Sequence, residues 1–391
     1  MNILHTVEFY HPNRGGAEEV VRQISERLAA RGHAVTVATT RLPERTFKEF
    51  NGVRIEEFGI SGNEAKGYAG DTAGYQKFLL EGRFDVMMNY AAQVWPTDLV
   101  FPIIERLPYA KVLAPCGFSA LNDPRYQAYF SRLSDVMRQY EHLIFHSARY
   151  RDIEFAKSHN LSRFSIIPNG AGRDEFDRSH PGFRKIHGIP EDVSVLITVG
   201  NHTGLKGHRA AISAFAKAAI GKSVLVIVGG LREPQECLRD CRRRAWWVKL
   251  ASGGRKRVLL VDPPREQVVA AMQAADLFVF ASNVECSPLV LFEAMASRTA
   301  FITTACGNAE EIVEWGQGGL VARTTRDSNG LVHAEPSDLA QAIESLIRDQ
   351  ARRQKLAAAG HQAWREKFTW EEIALRYEAV YLKLQTGGNG I

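Results

Sequence analysis

No Asp-x-Asp occurs anywhere in the 391 residues, so the usual paired-carboxylate seat for a diphosphate-bound Mg²⁺ or Mn²⁺ is missing. No Gly-x-Gly-x-x-Gly follows the first apolar segment, which argues against a Rossmann oxidoreductase. No apolar run is long enough to cross a bilayer. The opening Met1-Asn-Ile-Leu-His-Thr-Val7 has neither a basic leader nor a cleavage site and reads as a first strand. Cysteine is scarce, with five residues that are scattered and odd in number. That usage fits a reducing compartment, so the expected location is the cytoplasm. Cys237 and Cys241 lie one helical turn apart, but no second pair offers zinc geometry. No metal site and no cofactor are expected.

Charge is not scarce. The net charge is +5, and much of the excess falls between Arg239 and Arg257. That stretch holds Arg242-Arg-Arg244 and Arg255-Lys-Arg257, with Trp246 and Trp247 between them. Basic residues beside indoles suit an anionic membrane surface, here Arg242–Arg257, and a peripheral position on its inner face. The plainer reading is a solvated helix and a basic turn. No nucleic-acid motif accompanies the patch, so no nucleic-acid partner is expected.

Short apolar strands alternate with helical stretches. Val35–Ala38, Val86–Met88, Val112–Ala114, Leu143–Phe145 and Phe164–Ile167 read as strands of a first half. Val195–Val199, Val224–Val228, Val258–Val261, Leu277–Phe280 and Phe301–Thr304 read as strands of a second. Helices of the type Ala17–Arg31 and Ala210–Ala219 lie between them. The pattern predicts an α/β chain with two doubly wound parallel sheets, each like a Rossmann domain, facing a deep cleft. The first domain is set at residues 1–175, a polar linker at 176–192, and the second domain at 193–365. A C-terminal helix follows at 366–385, and the tail Thr386–Gly390 reads as unstructured.

The most informative stretch is Asn283-Val-Glu-Cys-Ser-Pro-Leu-Val-Leu-Phe-Glu293. Glu285 follows the apolar run ending at Ala281, and Glu293 falls inside the next helix. Ser287 reads as its N-cap and Pro288 as its first residue. The N–H groups of Leu289 and Val290 would then open toward an anion, suited to phosphate. A carboxylate beside a phosphate needs another task, and accepting hydrogen bonds from sugar hydroxyls is the natural one. Together these features point to a nucleotide-sugar pocket.

This segment resembles the E-x7-E motif of retaining glycosyltransferases of family GT4 (glycosyl transferases group 1), which have the GT-B fold. The likeness extends to Gly307-Asn-Ala-Glu-Glu-Ile-Val313, Gly318-Gly-Leu-Val321, Gly15-Gly-Ala-Glu18, Ile167-Pro-Asn-Gly170 and Gly200–Gly207 with Lys206, all in the family's order. It therefore covers nearly the whole chain. The resemblance implies a transferase that needs no metal, using a nucleotide-diphosphate sugar (UDP- or GDP-sugar) and a glycan or lipid-linked acceptor. Bacterial envelope polysaccharide synthesis is the natural setting. It implies Lys206 as the cation on the leaving diphosphate, Glu285 at the transferred sugar and Glu293 on the ribose. Gly15 and Gly16 would let the backbone approach a phosphate. The C-terminal helix would cross back onto the first domain.

Two departures from the family pattern stand out. Asn201 occupies the place where many relatives carry Arg, and it cannot make the forked, charge-assisted contact. Either Asn201 hydrogen-bonds the phosphate more weakly, or His202 or Arg14 supplies the charge. Cys116 replaces a common His, and a thiol is a poor hydrogen-bonding substitute, leaving Ser119 to take over. On the acceptor side, Tyr90, Gln93 and Trp95 are placed to stack on or bond a sugar, with Tyr126, Tyr129 and Phe130 as an apolar rim. A GT-B nucleotide-sugar epimerase and a non-catalytic nucleotide-sugar-binding subunit are the rival readings.

Overall fold

The computed structural model describes residues 1–180, 182–231 and 236–387. The tail beyond Gly387 lies outside the described residues. The chain divides into two compact units: Met1–Asn169 with the segment from Trp370 onward, and Gly170–Thr369.

The first unit is built on an eight-stranded sheet. Its order is Phe164–Ile166, His142–Phe145, Ala110–Ala114, Val86–Tyr90, Asn2–Thr6, Ala34–Thr40, Val53–Phe58 and Glu49–Phe50. All pairs are parallel except the last. The strand Val53–Phe58 was not expected. Only Val53 and Ile55 of its residues are buried, so its alternation is too short to announce itself. The helix Trp370–Gln385 belongs to this unit and packs on Gly16–Ala30. Arg27 Nη2 pairs with Glu371 at 2.8 Å, and Glu378 receives Arg31 and His33. Tyr381 reaches the buried His5 at 3.1 Å.

The second unit holds a six-stranded parallel sheet. Its order is Lys256–Val261, Ser223–Val228, Ser194–Val199, Leu277–Phe280, Phe301–Thr303 and Gly319–Val321. The order climbs outward in both directions from Ser194–Val199 and Leu277–Phe280. The loops leaving these two neighbours therefore part to opposite sides of the sheet, and ligands settle at such a switch point. The stretch read as a linker is packed here. Phe176, Phe183 and Ile189 are buried in the core of the second unit, with the short helices Arg173–Phe176 and Phe183–Ile186. Polar and glycine residues around them masked three core side chains spaced along the segment.

Candidate active site

In the second unit the loop Gly200–Gly207 leaves one switch-point strand, and Asn283–Ser287 leaves the other. They are stitched together. Asn283 N donates to Leu205 O at 2.8 Å. Gly207 makes the close approach feasible. Its φ is +67°, and a Cβ there would sit 1.7 Å from the carbonyl oxygen of Ala281. Gly204, at φ +85°, faces open space. Gly207→Ala is therefore expected to cost on the order of 3 kcal/mol, from left-handed strain plus the clash. Gly204→Ala should cost only about 1 kcal/mol, the strain alone. Urea midpoints compare the two, and equal losses would show that the Ala281 contact is unimportant.

The stitched loops bring Lys206 and Glu285 together across 79 residues of chain: Lys206 Nζ lies 2.7 Å from Glu285 Oε1. Ser282 Oγ donates to the same oxygen at 2.8 Å. Both side chains keep some solvent access, 30% for Lys206 and 15% for Glu285, so an incoming ligand can reach them. Gly307 closes the other side. Its φ is +58°, and a Cβ there would meet the carbonyl oxygen of Cys286 at 2.4 Å. Asn308 N donates to that carbonyl at 2.9 Å.

The helix Leu289–Ala296 starts one residue later than the sequence reading had it. Pro288 is the cap, with φ −70° and ψ 113°, and Ser287 precedes it, buried. A residue before the cap has no geometric claim on the first N–H groups. Leu289 and Val290 are half-buried and still supply the first N–H groups of the helix, which have no acceptor within it. Glu293 is buried on this helix, where Arg265 Nη2 donates to its Oε1 at 2.6 Å. The same guanidinium grips Glu175 through two bonds of 2.8 and 2.9 Å. Sequence reasoning missed Arg265 and Glu175. Arg265 follows two prolines at a helix start, and nothing local ties it to a glutamate 28 residues on.

Asn201 is exposed and accepts a hydrogen bond from Gly230 N at 3.3 Å, tying its loop to the turn after Ser223–Val228. His202, in contrast, is buried beside His208, the first residue of helix His208–Lys217. Burial lowers both imidazoles, His208 to about 3, so neither carries charge near neutrality. That removes His202 as the substitute cation. The two cysteines Cys237 and Cys241, expected to stand alone, lie against these histidines. The sequence reading sought a second Cys or His pair at zinc-finger spacing, and the pair comes instead from a loop 35 residues upstream.

In the first unit the corresponding loops follow Val86–Tyr90 and Ala110–Ala114. Ala91, Gln93, Cys116 and Phe118 all have φ between 47° and 69°, strained for residues with a Cβ. Such strain gathers at functional loops. Gln93 and Cys116 are half-buried and Ser119 is exposed. Tyr90 and Trp95 are not available to a sugar. Tyr90 is buried with Oη 2.9 Å from His146 Nε2, and Trp95 is buried with Nε1 donating to Thr40 Oγ1 at 2.9 Å. Tyr126, Tyr129 and Phe130 are core residues too, not a rim. An aromatic after a strand reads the same in sequence whether it turns outward or back under the loop.

Two buried acids beneath these loops were missed. Tyr129 Oη donates to Asp98 at 2.9 Å, and burial pushes Asp98 up to about 7. Gly117 N donates to Asp152 at 2.9 Å, and burial pushes that acid to about 6. They hold the strained loops in place. At the start of helix Gly16–Ala30, a Cβ on Gly15 would meet the Glu18 carboxylate at 2.2 Å, whereas Gly16 faces open space.

The sequence comparisons bear on the family. Residues 180–363 match the family described as glycosyl transferases group 1, and residues 14–174 match glycosyltransferase family 4. The chain belongs to glycosyltransferase family 4. It is a GT-B transferase, and each of its two units carries a Rossmann-like sheet. The D-inositol 3-phosphate glycosyltransferase of Nocardioides sp. is 25% identical over 97% of this chain and 88% of its own. The lipopolysaccharide glucosyltransferase WaaG of Escherichia coli is 26% identical over 79% of this chain and 82% of its own. Anabaena Alr3699/HepE, solved in complex with UDP-glucose, shares the fold with a TM-score of 0.75. That structure is 17% identical and covers 98% of the transferase and 100% of its own chain.

Proposed function

We propose that this transferase moves a sugar, with retention, from a nucleotide-diphosphate donor to a glycan or lipid-linked acceptor, and that it needs no Mg²⁺ or Mn²⁺. The observation that carries the reading is the Lys206–Glu285 pair at the switch point, beside the start of the helix that bears Glu293. As the donor's C–O bond breaks, negative charge grows on the departing phosphate. Lys206 and the N–H groups of Leu289 and Val290 are the groups that stabilise it. Glu285 faces the transferred sugar and its developing positive charge. Glu293, oriented by Arg265, takes the ribose hydroxyls. The leaving phosphate accepts the acceptor's proton on the same face of the sugar, so no protein nucleophile is required. Gln93, Cys116 and Ser119 serve the acceptor side.

The relatives bear on substrate choice. One is by name a D-inositol 3-phosphate glycosyltransferase, another a lipopolysaccharide glucosyltransferase, and the fold neighbour holds UDP-glucose. They support a UDP-sugar as the first donor to test and an envelope saccharide as the acceptor class. A thermal-shift series with UDP, GDP, ADP and their sugars should single out one nucleotide. Slow hydrolysis of the matching sugar nucleotide would follow. Interconversion of the sugar would make the protein an epimerase, and binding without turnover a non-catalytic subunit.

Metal independence follows from the missing Asp-x-Asp and the cation already in place. Turnover at saturating donor should stay within a few-fold after EDTA strips Mg²⁺ and Mn²⁺. Loss that either ion restores would overturn the mechanism.

Among the described residues, no helix is long and apolar enough to cross a membrane. The helix Glu236–Ala251 instead presents Trp246, Trp247 and Leu250, each more than half exposed, beside Arg242 and Arg243. Lys256 does not join this face. It is buried and donates to the carbonyls of Phe215, Ala216 and Ala218 at 2.5–2.9 Å, closing a helix end. We assign the exposed face to anionic lipid. Binding to anionic vesicles should fall severalfold in Arg242→Ser/Arg243→Ser and weaken with salt. Equal binding to neutral vesicles would count against it.

A further inference from the structure

The helix Glu236–Ala251 carries Cys237 and Cys241 one turn apart. His202 comes from the Gly200–Gly207 loop, and His208 opens the helix His208–Lys217. One donor atom from each of the four residues lies within 4.8 Å of all the others. The two histidine Nδ1 atoms are 3.3 Å apart. Cys237 Sγ lies 3.7 Å from His202 Nδ1 and 4.0 Å from His208 Nδ1.

These separations have a simple meaning. A tetrahedral zinc with bonds of about 2.0–2.1 Å to nitrogen and about 2.3 Å to sulfur sets its donors at fixed distances. Nitrogens fall about 3.4 Å apart, and nitrogen and sulfur about 3.6 Å apart. The nitrogens here match, and Cys237 stands within a few tenths of an ångström of both. A hydrogen bond between the imidazoles would explain their approach to each other. It would not explain two thiols converging on the same point.

We propose that His202, His208, Cys237 and Cys241 form a structural zinc site. Imidazole and thiolate donors together select zinc over the hard ions magnesium and calcium. Binding releases two thiol protons to solvent, and the two thiolates neutralise the ion's charge. All four positions are filled by the protein, so the ion has no open place for substrate and acts as a clasp. A cavity of about 800 Å³ beside His202, His208 and the half-buried Cys237 gives an entry path. Zinc would tie the Gly200–Gly207 loop, and with it Lys206, to the helix Glu236–Ala251. The consequence for nucleotide binding rests on the reading of Lys206 given above; the zinc site itself does not.

The full-length protein, purified without chelator, should hold about one zinc per chain by elemental analysis. Cys237→Ser/Cys241→Ser should hold at least tenfold less. Cobalt added to stripped wild-type protein should give a thiolate-to-cobalt charge-transfer band and the intense visible bands of a tetrahedral ion. This spectrum needs no variant and serves even if the double substitution fails to fold. No zinc in the wild type together with no cobalt band would overturn the proposal. Full retention of zinc by the folded double variant would do so too, as would a Cys237–Cys241 disulfide in freshly purified protein. Stripping zinc should also weaken nucleoside-diphosphate affinity about tenfold, with zinc, not Mg²⁺, restoring it. If zinc binds in the expected ratio and affinity does not move, the zinc site stands and the nucleotide role of this loop falls.

Discussion

Lys206→Ala is expected to lower turnover by about 10²–10³-fold, the usual cost of removing one preorganised donor to a developing charge. The loss should sit at the upper end of that range. Asn201, on the same loop, is neutral and engaged with Gly230, so it adds no second charge. His202, the other nearby candidate, is buried and uncharged near neutrality. Affinity for the free nucleoside diphosphate should fall as well, since a hydrogen bond to a charged group is worth roughly 1.5–3 kcal/mol. Part of that fall comes from Glu285. Lys206 Nζ now neutralises it at 2.7 Å, and without the lysine a bare carboxylate faces the diphosphate. Lys206→Ala/Glu285→Gln should therefore bind nucleoside diphosphate better than Lys206→Ala alone, while remaining slow. Asn201→Arg in the Lys206→Ala background should recover part of the turnover by placing a second cation on the same loop. Single-turnover rates and nucleotide affinities test all three. Turnover of Lys206→Ala within a few-fold of wild type, on any donor that binds, would move the phosphate site elsewhere.

The parallel strands of both units were legible because most central strands carry a short apolar run bounded by polar or turn residues. Val195–Val199 and Val224–Val228 match the observed strands to within a residue. Glu285, Glu293 and Lys206 were legible as residues, because each sits just past a strand or within the helix that follows. Their connections were not. The Lys206–Glu285 contact depends on Gly207 passing over the backbone of Ala281, a fact of packing with no local signature. Arg265 reaches Glu293 only because the fold brings two helices separated in sequence within reach of one side chain. Tyr90 and Trp95 failed as sugar contacts for the same reason. Their partners His146 and Thr40 lie 56 and 55 residues away in sequence, and nothing near either aromatic shows which way it turns. The four-residue cluster was hidden because each half is innocuous alone: two cysteines on one helix, and two histidines, one in a glycine loop and one at the start of the helix after it.

Glu285→Ala and Glu293→Ala should separate cleanly in kinetics. Glu293 is buried, fixed by Arg265 at 2.6 Å, and assigned to the ribose, a part of the donor that does not change as the glycosidic bond breaks. Interactions that persist from ground state to transition state govern affinity more than turnover. Glu293→Ala should thus weaken nucleotide binding by about 10-fold or more, as expected for a lost charged hydrogen bond, with a smaller change in kcat. It also leaves Arg265 held by Glu175 alone, so Glu293→Gln, which keeps an acceptor for Arg265, should lose less. Glu285 differs because its assigned contact is the sugar whose anomeric carbon gains positive charge. Its carboxylate is most useful at that moment, so Glu285→Ala should lower kcat by at least 10²-fold with a smaller effect on donor KM. Glu285→Gln should recover hydrogen bonding but not charge, and so regain only a minor part of kcat. Donor KM and kcat for the four variants decide the matter. A pattern reversed between the two positions would exchange their roles, and near-normal kinetics at both would remove the two glutamates from the site.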